Sequence, residues 1–151
     1  MRTAPTCPPT CPLASAGRYI LTYLTISNIN ITRYTICRCN PLISQLRLDF
    51  STFDIAPPFT CGSSSTSVAC TTRDGPLIGD CIYDTFTVTA PGSVAPPVIC
   101  GYNTGQHMYI TSSELCNTIV IKMDPDYTYS RTWNIKVVVG RQSRNIDNEL
   151  C

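Results

Sequence analysis

The chain has 151 residues, with 11 lysines and arginines against 10 aspartates and glutamates, for a formal net charge of +1. That length suits one domain with short extensions and is enough to bury a sizeable core. The near-neutral balance, without a basic stripe, excludes the electrostatic footprint of a nucleic-acid binder, and no apolar run is long enough to span a bilayer.

Residues 1–16, "MRTAPTCPPTCPLASA", are rich in Pro, Thr and Ala. Repeated proline removes backbone donors and favours an extended chain, so this segment reads as an arm, tied down through Cys7 and Cys11. It has neither an apolar h-region nor a small-residue cleavage pattern, as expected of a mature or trimmed chain. Residues 18–39, "RYILTYLTISNINITRYTICRC", are dense in β-branched and aromatic side chains and read as two strands broken near "SNIN". In "QLRLDFSTFDIA", Leu46, Leu48 and Phe50 alternate with Gln45, Arg47 and Asp49, the period of a half-buried strand.

A long polar insertion follows, in which Cys61 and Cys70 are expected to close a loop and Asp74-Gly75 to form a turn. "YDTFTVTA" alternates again, with Phe86 and Val88 inward. "HMYIT", "TIVIKMD" and "TWNIKVVV" are three further strands. Their expected inward sets are Met108 and Ile110; Ile119, Ile121 and Met123; and Trp133, Ile135, Val137 and Val139. No segment sustains helical periodicity. The chain divides into the arm (1–16), a β-domain (17–140) and a polar tail (141–151) that ends on Cys151. Seven or more short strands between Pro/Gly/Ser turns predict an all-β sandwich of two antiparallel sheets.

Ten cysteines, spread from Cys7 to Cys151, and a charged fraction of only 14% point to disulfides in an oxidising compartment, hence to a secreted, extracellular protein. Metal knuckles are the alternative for "CPPTC" and "CRC" (Cys37, Cys39). With one histidine and no CxxC pair, zinc is poorly matched, and a thioredoxin-like motif is absent.

"ISQLRLDFSTFDIA", "CIYDTFTV", "VICG" and "TIVIKMD" resemble successive motifs of CUB domains: an I-x-L-x-F-x-x-F-D-I-E strand, a C-x-Y-D strand, a C-G after a loop and an I-x-F-x-S-D strand. "YTICR", "PPVICGYNTGQHMYI" and "SRTWNIKV" look nearest to the CUB-like domain of secreted arthropod proteins. The resemblance covers about residues 17–139 and is tighter in its second half. It implies a jelly-roll β-sandwich and a disulfide between Cys81 and Cys100. It also implies a disulfide from Cys37 to an upstream cysteine, Cys7 or Cys11, leaving Cys39, Cys116, Cys151 and one arm cysteine unassigned.

The resemblance further implies a Ca²⁺ site, built on Asp84 in C-x-Y-D and Asp124 at the end of the I-x-F-x-S-D strand. The glutamate such a site uses falls on Ala56, which removes a carboxylate from an ion that needs six to eight oxygens. Asp54, Asp80 and Asp126 are the available substitutes. The plainer reading makes Asp84 an acceptor of backbone hydrogen bonds and Asp124 the start of a turn. His107 is the sole histidine, with no nucleophile elbow in the chain, so a strand-end surface role is expected. Glu114 and Glu149, in a turn and the tail, do not suggest a paired-carboxylate site. Trp133 belongs to an inward set, which leaves Tyr127 and Tyr129 as the better exposed candidates for stacking on carbohydrate.

Asn30-Ile31-Thr32 is an N-glycosylation sequon, and Thr3, Thr6 and Thr10 beside prolines are O-glycan candidates. Sparse charge on a β-rich chain and an extended arm together suggest self-association at sheet edges. The expectation is a non-catalytic extracellular interaction or structural module, binding a protein partner or further copies of itself and carrying glycans. A Ca²⁺-dependent ligand-binding domain of a larger secreted protein is the alternative.

Overall fold

A computed structural model of the chain describes residues 18–24, 30–37, 43–61, 77–113 and 116–141. Seven strands run β1 (Arg18–Leu24), β2 (Ile31–Ile36), β3 (Ile43–Asp54), β4 (Thr85–Thr89), β5 (His107–Thr111), β6 (Asn117–Lys122) and β7 (Thr132–Arg141). They form a four-stranded sheet in the order β1-β7-β3-β5 and a three-stranded sheet in the order β2-β6-β4. Every pairing is antiparallel. The chain is thus a disulfide-stapled jelly-roll β-sandwich. Among the described residues no helix is long and apolar enough to cross a membrane.

The alternations in the sequence become the two inner faces. Leu46, Leu48 and Phe50 on β3, Phe86 and Val88 on β4, Ile110 on β5, Ile119 and Ile121 on β6, and Trp133, Ile135 and Val137 on β7 are buried together. Met108 is only partly buried against them. The β1 pairing confirms the first strand, although β1 and β2 enter different sheets. Burying a large aliphatic or aromatic side chain contributes about 1.5–3 kcal/mol, so this inner layer is the main source of stability.

The register of β3 against β7 shifts twice, between Ile43 and Gln45 and between Phe50 and Thr52, and the second shift reorders the core. Phe50 lies opposite Ile135 and Thr52 opposite Asn134, so Ser51 is an extra residue bulged out of the ladder. A bulge moves every later side chain to the other face. Phe53 and Ile55 are therefore fully buried, while Asp54 is turned outward. The bulge places Phe50 and Phe53 side by side, with ring centroids 4.9 Å apart, and each meets Phe86 of the opposite sheet edge-on at 5.5 and 5.4 Å. Such edge-to-face contacts add to area burial.

Two disulfides have both cysteines among the described residues. Cys81 joins Cys100 across a separation of 19 residues. Cys37 joins Cys116, 79 residues away, in place of the upstream partner that the resemblance implied. The register explains this: Ile36 lies opposite Asn117, so the residue after β2 faces the residue before β6, with Cα atoms 4.2 Å apart. Cys61 is also disulfide-bonded, whereas Cys70 lies outside the described residues. So do the arm with Cys7, Cys11, Thr3, Thr6 and Thr10, and likewise Cys39, Asp74, Glu114, the tail beyond residue 141 and the side chain of Val139.

Candidate functional site

The antiparallel register collects several strand ends at one end of the sandwich. Asp54 at the end of β3 faces Thr132 at the start of β7, and Thr85 at the start of β4 faces Lys122 at the end of β6. The segments that join these strands carry Ala56, Asp84, Asp124, Tyr127, Tyr129 and Arg131. Cys81–Cys100 ties the approach to β4 onto the segment that runs back to β5. Gly101, next to that bridge, has φ +76° and packs so closely that an added Cβ would lie 3.2 Å from Pro58 Cδ. Glycine is the residue that takes both the left-handed conformation and this approach.

Asp84 is the centre of this end. Its side chain is 0% exposed, and both carboxylate oxygens are fully engaged. Oδ2 accepts from the Ala56 amide at 2.8 Å and from Arg131 Nε at 2.7 Å. Oδ1 accepts from the Asp124 amide at 3.0 Å and from Arg131 Nη2 at 2.9 Å. A carboxylate offers about four acceptor sites, so these bonds leave it no capacity. Arg131 in turn donates through Nη2 to the carbonyls of Asp124 and Tyr127, at 2.9 and 3.0 Å, and through Nη1 to that of Tyr129 at 3.2 Å. The hydrogen bonds to Asp84 hold the guanidinium pKa above its ordinary value, against the opposing effect of burial. A two-point contact between a planar guanidinium and a carboxylate fixes direction as well as charge.

The residues present do not fit a calcium ion. The backbone amide of Ala56 reaches Asp84 at the place where the resemblance implied a second carboxylate. The Asp124 carboxylate turns back to accept from the Asp126 amide at 2.9 Å, as an aspartate opening a turn does. Of the possible substitutes, Asp54 accepts from the Tyr129 hydroxyl at 2.7 Å, Asp80 accepts from the Leu77 amide at 2.9 Å, and Asp126 is exposed. Among the described residues no group of three or more His, Cys, Asp or Glu side chains is arranged to hold a metal. Arg131 escaped the sequence reading. The signal was a lost carboxylate at Ala56 beside a retained Asp84, which leaves one buried negative charge for a nearby cation to neutralise.

Around this centre the aromatic side chains form a row. Tyr83 and Tyr127 stack with centroids 3.9 Å apart, and Tyr129 continues the row at 6.3 Å from Tyr127. All three are half-buried. Trp133 is buried, and its Nε1 donates to the Tyr34 hydroxyl at 3.1 Å. Large apolar and aromatic side chains flank the Cys81–Cys100 bridge in sequence and lie open: Leu77 (68% exposed), Ile78 (72%), Ile82, Val98 and Tyr102 (72%). Asn30 is exposed at the same end, where its carbonyl accepts from the Met123 amide at 2.8 Å.

His107 is exposed at the start of β5, edge-on to the Tyr109 ring at 5.5 Å. Asp49, its cross-strand neighbour, accepts from Arg47 Nη2 at 2.8 Å.

No protein-family model matches the sequence, and no curated protein does. Among solved structures, the chain is similar to the MASP-1 CUB2 domain bound to Ca²⁺, with a TM-score of 0.52 and 18% identity over 81% of this chain and 92% of that one. The strand order, the two sheets and this likeness together give the chain a CUB-like fold.

Proposed function

We propose that the chain is a non-catalytic, extracellular protein-interaction module that docks through the loop end of its sandwich. One observation carries this reading. The buried polar groups of that end are spent on holding loops, while large apolar and aromatic side chains beside the Cys81–Cys100 bridge face outward. Exposed apolar patches on a rigid scaffold mark docking surfaces. The disulfides support secretion, and the open position of Asn30 suits a glycan there. By its motifs the module stands nearest the CUB-like domain of secreted arthropod proteins. Tyr127 and Tyr129 are built into the tyrosine row, which supports a role in protein contact over free sugar stacking.

Within this class we assign the chain to self-assembling structural subunits. The outer strands β1, β5 and β2 each pair on one side among the described residues, and strand edges of that kind accept an added strand. The Pro/Thr-rich arm of residues 1–16 is the segment assigned to a neighbouring copy, and a repeated head-to-tail contact of that form builds filaments. The test is multi-angle light scattering on the full chain and on a chain lacking residues 1–16. Loss of higher-order particles on deletion supports the reading. Unchanged particle mass, or a full chain that is monomeric at every concentration, contradicts self-assembly.

A further inference from the structure

The surroundings of Arg131 are those of a cation pocket whose cation is part of the chain. Five oxygens from two segments converge on one guanidinium: both carboxylate oxygens of Asp84, just before β4, and the carbonyls of Asp124, Tyr127 and Tyr129, in the turn before β7. We propose that Arg131 is a resident cation, doing for this loop end the charge neutralisation and loop gathering that a bound divalent ion would do, so that the end is built without calcium.

Charge favours arginine. The centre buries one carboxylate, because the candidate second position is Ala56 and the Asp124 side chain is turned to its own turn. One guanidinium balances one carboxylate, whereas a divalent ion would leave an excess charge in a place water does not reach. An unpaired buried carboxylate is strongly unfavourable, so the centre needs a cation of some kind. Geometry excludes both at once: the Asp84 acceptor sites are filled, and an incoming metal ion would meet the positive Arg131 side chain, itself only 12% exposed.

Tethering is the functional difference. Stabilisation by a free ligand grows with its concentration, so a metal-built loop end forms and dissolves with calcium. Arg131 sits immediately before β7, and its local concentration is set by the chain. The tyrosine row rests on the same turn, through Tyr127 and Tyr129, and therefore keeps its arrangement at any calcium level. This holds whether or not that end is the docking surface, and it is tested without a partner.

The experiment uses the full chain with its disulfides intact. Thermal unfolding is followed in excess calcium and in excess EDTA, with calorimetric titration of calcium into the chelator-treated protein. The expected result is one melting temperature in both conditions and no saturable heat. A melting temperature that calcium raises, with saturable binding lost in Asp84→Asn, overturns the proposal. Arg131→Lys and Arg131→Gln then separate charge from packing. Lysine keeps a cation without the planar fork, and glutamine keeps polarity without charge. Lysine is expected to retain more of the parent melting temperature, and glutamine equal to or better than lysine overturns the resident-cation role. Should either variant fail to fold, the calcium comparison on the parent chain decides.

Discussion

Tyr129 is half-buried in the turn before β7 and donates its hydroxyl to Asp54 Oδ1. That hydrogen bond, with burial and neighbouring negative charge, pushes the phenol from 10.0 up to about 12. A group whose folded pKa lies above its unfolded one contributes stability that is present below the unfolded value and lost as pH rises through the folded value. The contribution of Tyr129 is thus intact below pH 10 and fades as pH climbs towards about 12. Spectrophotometric titration of the native chain is expected to show a late ionisation step that belongs to Tyr129. Tyr129→Phe removes that step. A variant that titrates like the parent would contradict the Tyr129–Asp54 contact. At this scale the sequence was partly readable. Asp84 stood out from its place in C-x-Y-D, and Trp133 from its alternation. The role of Arg131 did not, because a lone arginine before a strand looks the same whether it faces water or a buried carboxylate.

At the scale of elements, periodicity placed the strands and most of the inward sets, since half-buried strands must alternate. Ser51 shows where that logic stops. Phe50 and Phe53 are three residues apart and both buried, a spacing that fits no uninterrupted strand, and the bulge resolves it. The partner of Cys37 was equally hidden, because pairing follows the β2–β6 register and not the order of cysteines in the chain. The two bridges differ in what they contribute. In the loop-entropy model, the bridge closing a separation of 19 residues contributes about 3 kcal/mol, and that closing 79 residues about 4.5 kcal/mol. Urea unfolding of the Cys37→Ala/Cys116→Ala and Cys81→Ala/Cys100→Ala chains is expected to show the larger loss in the first. Because Cys81–Cys100 anchors the loop end, the second is expected to loosen the Tyr83–Tyr127 stack as well, seen in the near-ultraviolet dichroism. A larger stability loss in the second chain would contradict the entropic ranking.

For the molecule as a whole, two sheets share one apolar layer, a disulfide braces each end of the sandwich, and an arginine closes the end where the loops gather. The fold class was readable from strand count, cysteine content and motif resemblance. The chemistry of the loop end was not, since it depends on which residues from distant parts of the chain meet. Asp84 and Arg131 act as one unit that holds the loop end to the sandwich. A buried pair broken from one side costs about 3–5 kcal/mol, much of it the penalty of the charge left behind. Removing both partners spares part of that penalty. A double-mutant cycle of Asp84→Asn, Arg131→Gln and their combination, read by urea unfolding, tests this most directly. The predicted result is a coupling energy of about 2–3 kcal/mol, near the top of the usual range for contacting residues. Additive single effects, with a coupling near zero, would contradict it.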